Sequence, residues 1–169
     1  KSGRLPFEDD RGEVRQGIRS HDGIIGEEYG AERPGAARQW VIDPIDGTVS
    51  FAAGRPIFGT LIALMQDGWP ILGVIDQPIL GERWVGGAGH PTTLNGNPVR
   101  TRSCTDLGSA ALASTGPQYF NDHSASHFMN LAAKTAHKRM IWGGDCYNYA
   151  LLAAGQIDKD RVVLHERQL

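Results

Sequence analysis

Cysteine is scarce: Cys104 and Cys146 are the only two, and they form no CxxC pair. That excludes a disulfide framework and suits a reducing compartment. No apolar run approaches the roughly 18 residues of a membrane-spanning helix, and the first residues lack the basic-then-apolar pattern of a secretion signal. Neither sign of charge dominates, with 17 basic against 19 acidic side chains and a net charge of −2. No overall field therefore draws the chain to nucleic acid or an anionic membrane, and any anionic ligand has to be held locally. His90, His123 and His127 show no HxH or HExxH spacing, which argues against zinc, and no GxxxxGK segment supports a nucleotide triphosphatase. Internal repeats and low-complexity linkers are also lacking. The expectation is a cytoplasmic protein with neither nucleic acid nor membrane as partner.

Glycine and proline, by contrast, are frequent, at 22 and 9 residues, so short strands and many turns are expected. The 169 residues suffice for one domain with a real core, an N-terminal αβ part over about 1–100 and a C-terminal αβ part over about 101–169. The clearest segments are TLIALM (60–65), ILGVID (71–76) and ERWVGG (82–87), separated by breakers at Asp67-Gly68 and Pro78. They predict a largely antiparallel β-meander. Asn95-Gly96 predicts a hairpin, because both turn positions need positive φ. Residues 8–20 are read as an exposed or frayed helix, and AERPGAARQ (31–39) as a surface loop. Helices are expected over 126–140, with Phe128, Leu131, Ala132 and Thr135 on one stripe, and over 146–155. The second would turn Cys146, Tyr149, Ala150, Ala153 and Ala154 to one face and end at Gly155. A sheet followed by helices indicates a layered, mixed α/β fold. The scattered Trp40, Trp69, Trp84 and Trp142 and the single Cys146 are read as packing.

The chemistry concentrates in WVIDPIDGT (40–48). Pro44 holds Asp43 in an extended conformation at the end of an apolar strand, and Asp46 returns after one turn to converge on the same point. The Ile45 carbonyl adds a third oxygen. Such hard donors suit Mg²⁺, Mn²⁺ or Ca²⁺. Gly47 lets backbone approach a ligand, and Thr48 opens a helical turn whose free N–H groups attract phosphate. On these residues alone a plain turn remains an equal reading, since Asp-Pro and Asp-Gly are common turn dipeptides. Glu27-Glu28 ends a second short apolar strand, Ile24-Ile25, and offers a further carboxylate.

GEE (26–28), DPIDGT (43–48) and GGDCYNYALLAAGQID (143–158) together resemble the successive motifs of the inositol monophosphatase superfamily, in that family's order. The resemblance implies a layered αβαβα sandwich and a Mg²⁺-dependent phosphomonoesterase with two or three ions, Mn²⁺ being a substitute, acting as a homodimer on a small phosphate ester. It implies roles by position. Glu27 would bridge metal and attacking water, Asp43 and Asp46 would lie between ions, and Ile45 would lend its carbonyl. Thr48 would orient the water, and Gly47 with Thr48 would cradle phosphate. Asp10 resembles an aspartate near a third ion. The family's further aspartate, expected from a Trp-Asp or Tyr-Asp a few tens of residues past Asp158, has no counterpart in KDRVVLHERQL (159–169), where Asp160 is a weak remnant. The expectation is that stretches of the natural protein are absent from the 169 residues. The competing reading is an inert metal-binding scaffold.

For the substrate, GGDCY (143–147), DQP (76–78) and RWVG (83–86) resemble the histidinol-phosphatase branch, where polyol phosphatases commonly carry Gly-Thr-Ala. Gly144 and Asp145 are then substrate-binding, Asp145 pairing a cationic alcohol part. A helix N-cap is the other reading of Asp145. Inositol 1-phosphate or a broad range of sugar phosphates is the competing substrate class. Arg139, in the basic group His137-Lys138-Arg139, is a weaker candidate for reaching the phosphate.

Overall fold

Two-residue turns set the pairing of the first sheet. Asp67 and Gly68 take φ of 51° and 81°, and Asn95 and Gly96 take 49° and 81°. These left-handed pairs match the twist of antiparallel strands, so the chain reverses tightly at both places. The computed structural model describes residues 21–27, 30–135 and 140–160. Asp10, the 8–20 segment, Glu28, His137, Lys138 and Arg139 lie outside the described residues, as do the side chains of Lys159 and Asp160.

The first sheet has eight strands. They are β1 (Gly23–Gly26), β2 (Gly30–Glu32), β3 (Arg38–Asp46), β4 (Gly59–Gln66), β5 (Trp69–Gln77), β6 (Glu82–Gly87), β7 (His90–Leu94) and β8 (Asn97–Pro98), ordered β2-β1-β3-β4-β5-β6-β7-β8. The meander β4-β5-β6 stands where the apolar runs predict it. Every pairing is antiparallel except β1 with β3, which run parallel with Gly26 opposite Ile42. The loop expected over 31–39 is partly strand, because Ala31 and Glu32 pair with Ile25 and Ile24.

The second sheet is parallel, ordered β10 (Met140–Trp142), β9 (Leu112–Ser114), β11 (Lys159–Asp160). Helix α2 (Asp122–Ala132) joins β9 to β10, and α3 (Cys146–Ala153) joins β10 to β11. A five-residue α1 (Thr48–Ala52) follows β3. Helix α2 starts earlier than its apolar stripe suggests, because Asn121 caps it by accepting from Ser124 N at 2.8 Å. It stops at Ala132, well before the expected 140, and Met140 already belongs to a strand. Helix α3 ends as Gly155 predicts. Gly155 takes φ 74° and donates to Leu152 O, while Gln156 donates to Leu151 O, the paired bonds of a glycine C-cap.

The most deeply buried apolar residues cluster around the second sheet and its helices: Ala113 and Ala150 at 0% exposure, Phe128 at 1%, Leu112 and Ile157 at 2%. On α3 the buried positions are Cys146, Asn148 and Ala150, whereas Tyr149, expected on that face, is exposed. Trp84 is buried as expected of packing, but Trp69 stands exposed beside the hairpin tip and Trp142 is half-exposed. Helix α3 packs its N-terminal part against β4 and β5. That contact brings the two sheets' chemistry together.

Candidate active site

The acidic corner arises from strand register. Because β1 runs parallel to β3 with Gly26 opposite Ile42, the next residues, Glu27 and Asp43, emerge side by side at one sheet end. Glu27 N donates to Ile42 O at 3.3 Å, extending the ladder by one step. The turn expected at DPID is instead a bulge within β3. Asp43 pairs with Leu61 and Asp46 with Gly59, so Pro44 and Ile45 share one opposing residue, Thr60. Proline is tolerated there because it has no N–H to lose. The bulge is pinned by Thr60 Oγ1, which donates to Pro44 O at 2.8 Å, and by Ile45 N, which donates to Asp43 Oδ1 at 3.1 Å.

Three carboxylates therefore interact through Asp43. Burial, then the neighbouring Glu27, then Asp46 push the Asp43 carboxyl up to about 6, against a partial offset from the Ile45 N–H. Asp46 reaches the other way. Its Oδ2 accepts from Cys146 N at 2.6 Å, across a hundred residues of chain. A strand-end carboxylate thus caps the first turn of α3. Thr48 Oγ1 donates to Ile45 O at 3.2 Å, which leaves the hydroxyl oxygen able to accept a hydrogen bond. Gly47 has φ 87°, and a Cβ there would stand 3.0 Å from Asp145 Oδ2 and 3.2 Å from Ile57 O. A side chain there would be strained by the positive φ and would push on these neighbours.

A cavity of about 430 Å³ opens beside Asp46, Gly47 and Thr48 and is lined as well by Ser114, Thr115, Asp145 and Cys146. It lies at the carboxyl ends of β9 and β10, where parallel sheets place their ligands. Asp145 occupies the residue before α3 but makes no capping bond, and its backbone is strained at φ 43°. The N-cap reading of Asp145 is therefore corrected: Asp46 does the capping. The Asp145 carboxylate bonds Thr115 and feels Arg55. Burial and the nearby Asp46 nevertheless raise its pKa. Gly144, expected to bind substrate, is buried and does not line the cavity; at φ 116°, a Cβ there would collide with Asn148 Oδ1 at 2.3 Å. The Cys146 thiol is buried beside Asp46, which drives its pKa up and leaves it inert, as packing predicts.

Hard oxygens from Glu27, Asp43, Asp46 and Ile45 suit a small divalent cation. Among the described residues no three His, Cys, Asp or Glu side chains surround a single point at ligand distance. Mg²⁺ is usually held by only one or two carboxylates plus water and phosphate, so acid pairs that share Asp43 fit it. The uncompensated repulsion at Asp43 is what a cation would relieve. Sequence reasoning missed Arg55, Thr115, Tyr119 and Phe120, none of which carries a local motif, and read Tyr149, inside the 143–158 motif, as a helix-face residue and not as cavity lining.

The profile of the inositol monophosphatase family matches residues 13–164. The bifunctional phosphatase IMPL2, chloroplastic, of Arabidopsis thaliana is 49% identical over 147 residues, which cover 86% of this chain and 42% of that protein. A histidinol-phosphatase of Chlorobaculum parvum is 36% identical over 148 residues, 86% of this chain and 57% of that one. An inositol monophosphatase structure from Zymomonas mobilis superposes with a TM-score of 0.79 at 48% identity, over 88% of this chain and 56% of that one. The chain spans about half the length of the curated relatives it matches.

Proposed function

We propose, from the premise that this chain belongs to the inositol monophosphatase family, that it serves a metal-dependent phosphomonoesterase acting on histidinol phosphate. The observation that carries the substrate is Asp145, a partly buried carboxylate on the wall of a cavity whose other occupant is an anionic ester. A second anion there disfavours a neutral polyol and favours an alcohol part bearing an ammonium. Likeness to a histidinol-phosphatase supports the same choice. The 48% identity to an inositol monophosphatase keeps inositol 1-phosphate as the second reading.

In this reading Glu27, Asp43, Asp46 and the Ile45 carbonyl would hold Mg²⁺, with Mn²⁺ as a substitute. When bound, the ions supply charge neutralisation of the ester and a more acidic water. Glu27, exposed beside Asp43, would take up a proton from an attacking water. Thr48 Oγ orients it, since its own hydrogen is committed to Ile45 O. Gly47 and Thr48 present backbone N–H groups to the phosphate. Asp46 keeps its orientation because Cys146 N holds one oxygen. Asp145 anchors the ammonium and so aligns the ester with the water. The same reading includes a homodimer in the cytoplasm. Among the described residues no helix is long and apolar enough to cross a membrane.

The test is phosphate release with Mg²⁺ from histidinol phosphate against inositol 1-phosphate. A higher kcat/KM on the histidinol ester is expected. The reverse order overturns the substrate assignment, and no Mg²⁺-dependent release from either ester overturns the activity.

A further inference from the structure

We infer that the cavity reads an aromatic ring in its substrate through a wall made by Tyr119, Phe120 and Tyr149, opposite in character to the Asp46 and Asp145 side; the inference rests on the histidinol phosphate reading above. All five residues line the same 430 Å³ space. Tyr119 and Phe120 come from the turn after β9, whereas Tyr149 comes from α3. Three aromatic side chains from two separate elements therefore meet at one cavity.

The wall is backed rather than loose. Phe120 stacks on Phe128 with ring centroids 4.8 Å apart and planes 26° from parallel, and Phe128 lies 5.6 Å from Trp142. Phe128 is 1% exposed, so this stack is anchored in the core. Tyr119 and Tyr149, at 37% and 40% exposure, keep large surfaces in contact with solvent. Asp145, the residue before α3, and Tyr149, in its first turns, both line this cavity.

A cyclic polyol can lay only its C–H faces on such a wall, and the hydroxyls around its rim need hydrogen-bond partners that ring faces do not give. A planar heteroaromatic ring has apolar faces and polar edges. It stacks on such a wall whether neutral or protonated, with an added attraction when cationic. An alcohol that carries an ammonium and an imidazole on neighbouring carbons matches a single cavity lined by both a carboxylate and aromatic rings. A cavity of this size suits a small ligand. Tyr119, Phe120 and Tyr149 are thus specificity-determining residues, touching the alcohol part and not the reacting phosphate.

The experiment uses the full chain with Tyr149→Leu, Tyr119→Leu and Tyr149→Phe. Calorimetry measures binding of histidinol and of inorganic phosphate, and kinetics with Mg²⁺ compare histidinol phosphate with phosphoethanolamine, which has the ammonium but no ring. Each leucine variant is expected to weaken histidinol binding and raise its ester's KM about 2- to 10-fold, the size of one aromatic contact. Phosphate affinity, kcat and the phosphoethanolamine KM should stay near wild type, and Tyr149→Phe should retain the ring effect. Equal losses on both esters, or no loss of histidinol affinity, overturn the aromatic wall while leaving the phosphatase reading intact. A wild-type preference for inositol 1-phosphate overturns both. Tyr119→Leu lies on a different element, so it decides the matter if Tyr149→Leu does not fold.

Discussion

Asp43 carries a cost that the metal-free protein cannot avoid. Its carboxyl, ordinarily at 3.8, is raised to about 6 by burial and by Glu27 and Asp46. Between those pH values the native state holds a proton that the unfolded chain has released. Stability is therefore full below about 4 and falls as pH rises through 6. The expected outcome is a metal-free Tm that declines over this window. Asp43→Asn should flatten the decline and raise Tm at neutral pH, while removing any stabilisation by Mg²⁺. Calorimetry across the pH range checks this, and an unchanged slope in the variant would refute the assignment. Asp46 behaves differently, because Cys146 N already bonds one of its oxygens. Asn at position 46 can still accept that bond, so the fold should survive. Turnover should fall by at least about 10²-fold, as when one electrostatic contact at a reacting centre is lost. Steady-state kinetics beside a circular dichroism spectrum tests both halves. That Asp43 and Asp46 are near enough to influence one another was legible from their spacing, but the bond of Asp46 to Cys146 N was not.

Helix α3 couples the two sheets, and its seat depends on a missing side chain. A Cβ on Gly59 would stand 2.9 Å from Cys146 Sγ and 3.0 Å from Asp76 O. The first turn of α3 can sit on β4 only because position 59 is empty there. Gly59→Ala should therefore push that turn outward, costing about 1–3 kcal/mol as overpacking does. It should also loosen the Cys146 N bond to Asp46 and lower turnover. Adding Cys146→Ala should restore part of the stability, since the Asp76 carbonyl remains close. Urea unfolding of the single and double variants measures the coupling, and perfect additivity would disprove it. Gly155 as the end of α3 could be read from sequence, because glycine alone suits the left-handed C-cap. The start of α2 was misjudged from its apolar stripe, although Asn121 was a visible capping signal. Nor could the helix-face reading of α3 place Tyr149, since Asn148 takes the buried position instead by donating to Gly143 O at 3.0 Å.

The chain as a whole is tied at the second sheet by an ion pair. Asp158, 2% exposed, is gripped by both Arg102 Nε and Nη2 and accepts from Ala111 N at 2.7 Å. The Arg102 guanidinium and the Ala111 N–H hold its carboxyl at about 2, below the usual 3.8. This contribution to stability is present above about pH 4 and is lost as pH falls through 2. The two ends of the pair are unequal, since Arg102 is 41% exposed. Arg102→Ala strands a buried carboxylate, whereas Asp158→Asn returns the guanidinium to water and keeps an acceptor for Ala111. The arginine variant should therefore show the larger drop in Tm at neutral pH. Equal drops would mean that the pair is screened.

Residues near one another in sequence dictated what could be read without the fold. Asp-Pro stiffness, the positive φ of Asp67-Gly68 and Asn95-Gly96, and the apolar runs of β4, β5 and β6 are local preferences that fold context did not override. The antiparallel meander followed from these. Tertiary structure alone decided that β1 lies parallel to β3, which sets Glu27 beside Asp43, and that α3 offers its first N–H to Asp46. It also turned Asp145 from cap to cavity wall and gathered Tyr119, Phe120 and Tyr149 around it. These contacts join distant segments, so their geometry is set by packing between sheets and not by any preference of the residues themselves.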